Sequence, residues 1–298
     1  MRLDVLVVAS HRDYGLTAHS LRNLVAYLPD LGTVTLATDR PADGRALVDR
    51  LGLVEVTVLP DRQLLSTAER RLPGWYRQQL IKLRAGSVLS GDTFAVLSGD
   101  TLLARRLPAT ELLAPSGRPY LYVNRYRYPA KHLEYERRRV TAVAELLGVI
   151  PTVAWGLGDF ICDLFCFERT VLTAAIGRLQ SRYGWNWTRV LAGRGTRPED
   201  QNLFGEYTLY AVTALECFDD RPPVRVRRES HVLQIHSRRA FELARFDAPV
   251  VHLVDKRIPI AALMARAAQF GQDLTTVAPD SCTCVFHHCN IHRPGGTS

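Results

Sequence analysis

Asp100 has the clearest chemical opportunity in this sequence. It follows the apolar run Phe94-Ala95-Val96-Leu97 and stands in Ser98-Gly99-Asp100-Thr101. Four consecutive apolar residues suit a central parallel strand covered on both faces. Ligands of such sheets gather outside the carboxyl ends of the strands, so a carboxylate there is placed to hold a metal ion or a diphosphate. Ser98 and Gly99 would contact the same ligand, Gly99 by letting the backbone approach closely. Upstream, Gly74 to Leu83 reads as a helix on which Gln78, Gln79 and Lys82 share a face through three- and four-residue spacing. Lys82 stands out because only three of the 38 basic residues are lysines. Its compact ammonium suits a phosphate or a hydroxyl group.

Other chemistry-bearing residues fall at comparable places. Ser10 and Arg12 follow a first strand at 3–9, Asp39 a second at 34–37, and Asp61 a third at 54–59. Four polar strand ends would line one edge of a sheet, along which a nucleotide could lie. Glu206, on an expected helix at 202–215, is placed to act as a general base toward an acceptor hydroxyl, with Asp163 and Asp159 as rivals. His231 and His236 flank a short strand at 232–235 and offer imidazole ligands. The segment 282–292 holds Cys282, Cys284, His287, His288, Cys289 and His292, but the spacing matches no standard zinc module.

The elements that must position these groups alternate strand and helix through the first half, with helices at 16–28, 42–51 and 74–85. That pattern predicts an α/β fold with a mixed, mainly parallel sheet flanked by helices. The second half reads as a strand at 120–127, a helix at 132–147, a strand at 160–167, a helix at 171–183, a strand at 250–254 and a helix at 260–270. A single domain over 1–275 with a Cys/His-rich tail over 276–298 is the expected organisation. The 298 residues bury a full core, and no apolar run reaches the ~18 residues a membrane span needs. With no export signal read at the N-terminus, a cytoplasmic location is expected. Cys162 and Cys166, in an apolar segment, read as small buried residues. The net charge of +8 favours anionic ligands in general. The run Tyr120 to Tyr128, followed by Arg137-Arg138-Arg139, interleaves aromatic and basic residues. It reads as a half-buried strand or an acceptor wall in preference to an RNA-binding surface.

Four blocks in order carry a resemblance. Gly74-Trp75-Tyr76-Arg77-Gln78-Gln79-Leu80-Ile81-Lys82-Leu83, Val96-Leu97-Ser98-Gly99-Asp100-Thr101, Phe160-Ile161-Cys162-Asp163 and Gly205-Glu206-Tyr207-Thr208-Leu209-Tyr210 resemble an uncharacterised bacterial family related to GT-A glycosyltransferases. The likeness runs from about residue 3 to residue 215. It implies a GT-A-like, Rossmann-like fold that transfers a sugar from a nucleotide-diphosphate donor to a small-molecule or glycan acceptor. It also implies Mg²⁺ or Mn²⁺ bound through an Asp-x-Asp motif, here with Asp100 and a late ligand such as His236. Ser10, Arg12, Asp39, Gln78, Lys82, Ser98 and Gly99 would then hold the donor, and Glu206 or Asp163 would face the acceptor. The chain departs from the pattern at Ser98, which replaces the first acid, and at Gly205, which replaces a serine. The lost charge weakens metal affinity and leaves a non-catalytic nucleotide- or sugar-binding fold as the alternative, ahead of RNA binding.

Overall fold

The computed structural model describes residues 2–123, 130–193, 203–218, 222–228, 232–235, 250–253, 258–259, 261–263 and 265. His231, His236 and the segment 276–298 lie outside them. In chain order the elements are β1 (Leu3–Ala9), α1 (Tyr14–Tyr27), β2 (Leu31–Thr38), α2 (Pro41–Leu51), β3 (Val56–Pro60), α3 (Gly74–Leu83), β4 (Thr93–Ser98), β5 (Thr101–Leu103), α4 (Ala109–Leu112) and β6 (Tyr120–Tyr122). They continue as α5 (Ala130–Leu147), β7 (Leu164–Glu168), α6 (Arg169–Tyr183), α7 (Trp187–Gly193), α8 (Glu206–Glu216), β8 (Arg225–Arg227), β9 (Val232–Ile235) and β10 (Val250–Leu253).

The main sheet has the order β3-β2-β1-β4-β7. Its first four strands are parallel and β7 runs antiparallel to β4. Strand residues alternate between two apolar layers, as the two-residue period requires. Leu6, Val8, Phe94, Val96, Phe165 and Phe167 pack with α3, α5, α6 and α8 on one side. Val5, Val7, Leu36, Ala95, Leu97 and Cys166 pack with α1 and α2 on the other. Both faces are therefore covered, and ligand access is left to the strand ends. A three-stranded sheet β5-β10-β9 and a two-stranded ribbon β6-β8 complete the topology.

The expected strands and helices of the first half are present with shifted ends. The second strand begins three residues earlier than its apolar run, because Leu31 to Thr33 extend it toward the sheet's opposite edge. The third begins at Val56, leaving Val54 95% exposed. The strand expected over 160–167 is Leu164–Glu168, and Phe160 is buried in the loop before it. Strand β5 was not expected: it is three residues long, and its partner β10 lies far along the chain. Helix α2 shows why such boundaries hold. It opens on Pro41, whose missing N–H costs nothing there, and closes on Gly52 in the left-handed region at φ 67°.

One ion pair ties the C-terminal end of helix α3 to the short turn Glu69–Arg71 that precedes the helix. Arg84 donates to Glu69 through two nitrogens at 2.7 Å each, the Ser66 N–H adds a third contact at 2.8 Å, and the guanidinium covers the Trp187 ring at 5.5 Å. Burial raises the Glu69 pKa, but these donors more than offset it and lower the group from 4.5 to about 2. A carboxyl whose pKa is lower folded than unfolded stabilises fully above the unfolded value and loses that contribution as pH falls through the folded one. Glu69→Gln is expected to lower unfolding free energy by about 1–3 kcal/mol at neutral pH. In urea titrations the gap between wild type and variant should close between pH 4.5 and about 2. A gap independent of pH would contradict this.

Candidate functional site

The sheet register builds the site before any side chain is considered. Val8 is level with Ser98, Ala9 with Thr38, and Thr38 with Pro60. Leu97 pairs with Leu164, so the next positions on that ladder are Ser98 and Asp163. Ser10, Asp39, Asp61, the Ser98-Gly99-Asp100 turn and Asp163 consequently line the carboxyl-terminal edge of β1 to β4, together with the start of β7.

At the β1 and β2 tips, the His11 backbone N–H donates to Asp39 Oδ1 at 2.9 Å, and His11 Nδ1 lies 2.8 Å from Oδ2. Burial raises the Asp39 carboxyl, but the His11 contacts outweigh it and hold the group below its ordinary value. Asp61, one strand further out, is raised by burial and by Asp39, an effect only partly offset by Arg77 at 4.0 Å. Two carboxylates that sense each other therefore stand side by side on the edge. Ser10 accepts from the Arg12 N–H at 3.4 Å and starts the short 3₁₀ turn His11–Asp13, on which Arg12 is exposed.

Gly99 has no room for a side chain. A Cβ would lie 2.6 Å from Thr17 Oγ1 and 2.7 Å from the Ala9 Cβ. Its N–H donates to the Val8 carbonyl and its own carbonyl accepts from Ser20 Oγ. The turn is pressed onto α1, which fixes where half-buried Asp100 emerges. Gly99→Ala is expected to cost about 1–3 kcal/mol by overpacking, read from the thermal or urea midpoint. A midpoint matching wild type would show that the turn is loosely held.

Behind the turn lies a buried charged brace. Lys82, 3% exposed, donates to Ser98 Oγ at 3.1 Å and to the Tyr207 hydroxyl at 2.9 Å. Its ammonium also forms an ion pair with Glu206 Oε1 at 2.9 Å. All three donor directions of Lys82 are thereby directed at Ser98, Tyr207 and Glu206. Gln79 Oε1 accepts from the Glu206 N–H at 2.9 Å, while Gln78 is only half-buried on the same helix. Glu206 opens α8, where the helix dipole favours an acid. Tyr207 stacks on Phe165 at 4.8 Å. Burial first, then Glu206, Asp163, Cys162 and Asp100, push its hydroxyl well above the ordinary value, so it remains a protonated phenol.

A second buried group was not anticipated. Glu136 and Arg139 on α5 form an ion pair at 2.8 Å, and Asp159 lies close enough to affect both. Burial raises the Glu136 pKa; Arg139 lowers it, Asp159 raises it, and the group settles at about 7. The signal was present in the sequence: Glu136, Arg139, Val140 and Val143 recur at helical spacing, which puts one acid and one base on the apolar face. Arg137 and Arg138 of the same basic run are exposed. Gly205 leaves room for the serine of the family pattern, with Thr208 Oγ1 at 3.6 Å and Arg139 Cδ at 3.8 Å from a built Cβ. Cys162 and Cys166 are buried as expected, and burial raises the Cys166 thiol to about 12.

The aromatics of the Tyr/Arg strand are engaged within the fold. The Arg227 guanidinium lies 3.7 Å from the Tyr120 ring centroid, and the Tyr122 hydroxyl donates to the Glu111 carbonyl. Among the described residues no group of three or more His, Cys, Asp and Glu side chains is arranged to hold a metal, and no helix is long and apolar enough to cross a membrane.

The fold is similar to the galactosyltransferase LgtC solved with donor and acceptor sugar analogues, with a TM-score of 0.51 at 13% identity over 90% of this chain and 94% of that one. An active-site mutant of LgtC matches with a TM-score of 0.52 at 12% identity, over 90% and 95% of the two chains. The bifunctional glycosyltransferase WbbM matches with a TM-score of 0.51 at 9% identity, over 90% of this chain and 50% of WbbM. Likeness at these identities establishes a GT-A fold. No curated protein matches the sequence. The family of unknown function DUF6492 matches residues 43–238. That span takes in α3, the β4 turn and α8, the elements that carry Lys82, Asp100 and Glu206, and the chain belongs to DUF6492.

Proposed function

We propose that this chain transfers a glycosyl group from a nucleotide-diphosphate sugar to an acceptor hydroxyl, with residues 1–275 as the transferase unit and 276–298 as a tail. One observation carries the reading. In a GT-A sheet, the turn at the end of β4 presents half-buried Asp100 while the neighbouring Ser98 is tied at 3.1 Å to a buried ammonium. The edge residues Ser10, Arg12 and Asp39 would contact the nucleoside, with the Asp39 carboxylate accepting from ribose or base N–H and O–H groups.

In this reading the bond between the anomeric carbon and the diphosphate oxygen breaks as the acceptor oxygen bonds to that carbon. The acceptor proton passes to a carboxylate, and the nucleoside diphosphate leaves. Asp163 adjoins Ser98 on the ladder and is 4% exposed. Glu206 is committed to Lys82, so Asp163 is the preferred proton acceptor and Glu206 a positioning residue. Lys82 holds Ser98, Tyr207 and Glu206 in register, and its fixed positive charge lies behind the turn that meets the diphosphate.

The donor set fits a cation only in the company of the diphosphate. Asp100 is the carboxylate of the turn, and Ser98 Oγ already receives Lys82. Asp100 would hold Mg²⁺ or Mn²⁺ as one carboxylate beside substrate phosphates. Bound there, the cation would supply charge neutralisation of the departing diphosphate. His236, the other proposed ligand, lies outside the described residues.

The replacement of the first acid of the motif by Ser98 also favours a second reading, a nucleotide-sugar binder without turnover. Incubation with UDP-, GDP-, CDP- and dTDP-sugars, with and without EDTA, separates the two. Release of nucleoside diphosphate with transfer to a hydroxyl acceptor supports transfer. Saturable donor binding without product across an acceptor panel supports the binder.

A further inference from the structure

A cavity of about 550 Å³ is lined largely by residues of α5. That volume falls within the roughly 300–1,000 Å³ usual for sites that hold small organic ligands. Its lining is the stripe Glu134, Arg137, Arg138, Thr141 and Glu145, spaced to share one face of α5, together with Trp155. Trp155 is 45% exposed, and the Arg137 guanidinium stacks on its ring at 4.6 Å.

The loop presenting this tryptophan is held rigidly. Glu216 at the end of α8 accepts from the Thr152 hydroxyl at 2.9 Å, the Val153 N–H at 2.8 Å and the Ala154 N–H at 2.7 Å. Ala154, next to Trp155, is fully buried. An exposed indole on a pinned turn is a preorganised surface, which lowers the ordering cost of binding.

We infer that this cavity is a saccharide subsite, holding sugar units of the acceptor that lie beyond the reacting one. The chemistry of the lining selects the occupant. Two guanidinium groups donate and two carboxylates accept, around a hydroxyl and an indole; this matches a ligand dense in hydroxyl groups with an apolar ring face. The paired charges cancel, which disfavours an anionic lipid surface. The concave shape and modest volume suit a short oligosaccharide better than a protein. Leu203, which lines the cavity, stands in the chain just before Gly205 and Glu206, so the cavity adjoins the segment that leads into α8. The acceptor assignment rests on the transferase reading; saccharide binding itself does not.

The test uses the full chain without donor. Chito-, xylo- and malto-tetraose and a broad glycan array are titrated against wild type, Trp155→Ala and Thr141→Val, following ligand-observed NMR and intrinsic fluorescence. At least one saccharide class should bind wild type saturably, and Trp155→Ala should weaken it at least tenfold while leaving nucleotide-sugar binding unchanged. Thr141→Val, which keeps the shape and removes a hydroxyl, should weaken it severalfold. Absence of saccharide binding, or binding indifferent to both substitutions, overturns the inference even if transfer is established. So would concentration-dependent self-association abolished by Trp155→Ala, since a second copy would then be the occupant. Saccharide binding without any transfer would retain the subsite and remove the acceptor role.

Discussion

Lys82→Ala is expected to lower the unfolding free energy by about 3–5 kcal/mol, the usual cost of leaving one partner of a buried ion pair behind. Glu206 is 2% exposed, and its buried Oε1 lies 2.9 Å from the Lys82 ammonium. Removing the ammonium therefore leaves a largely buried carboxylate without its counter-charge. It also unpairs the Tyr207 hydroxyl and Ser98 Oγ. Domains of this kind are stable by only about 5–15 kcal/mol, so the loss would be a large fraction of the total. The double substitution Lys82→Met with Glu206→Gln should recover most of it, because the buried charges are then removed together. Urea unfolding of the single and double variants measures both effects. A single-variant loss under about 1 kcal/mol would mean that the ion pair is solvated and that the brace described here does not exist.

Asp100→Ala is expected to leave stability within about 0.5 kcal/mol, since the residue is half-buried at a turn. Its predicted effect is on turnover, a fall on the order of 10²–10³-fold, as when one preorganised group facing developing transition-state charge is removed. The contrast with Lys82 is diagnostic. Lys82 is built into the core, so its loss should act through folding; Asp100 is half-buried at the turn that ends β4, so its loss should act through chemistry. Steady-state rates of nucleoside diphosphate release, beside unfolding midpoints, separate the two. A tenfold or smaller change in rate at Asp100 would remove it from the machinery.

Much of the fold was legible because central strands bury both faces. The runs at 5–9 and 94–97 are apolar without interruption, and both lie in strands of the main sheet. Where a strand reaches past its apolar run, as Leu31 to Thr33 do in β2, composition gives no sign of it. The short β5 is held by β10 and by Asn23, whose side chain brackets the Leu103 backbone through both its oxygen and its nitrogen. Those partners are distant in sequence, so three apolar residues after a turn carried no distinctive pattern.

The placement of site residues divides along the same line. Positions at strand ends followed from the strands, so Ser10, Asp39, Ser98, Gly99 and Asp100 fall along one edge. The environment of Lys82 did not follow. Helical spacing put it with Gln78 and Gln79 on a face read as open to a ligand, yet it points inward with Gln79 and meets Glu206 and Tyr207 of α8. That pairing depends on how α3 packs on α8, which local periodicity cannot report. The Glu136–Arg139 pair is only three residues apart, so helical spacing carried its signal, but burial of a charged pair on an apolar face was not expected from it.

The most direct test of the account is a crystal structure of the protein with a nucleotide-diphosphate sugar bound. The nucleoside should lie across the tips of β1 and β2 beside His11 and Asp39, with the diphosphate against the Ser98-Gly99-Asp100 turn and Asp100 turned toward it. A donor lodged elsewhere on the surface, or an Asp100 carboxylate directed into the packed helices while nucleotide occupies the edge, would contradict it.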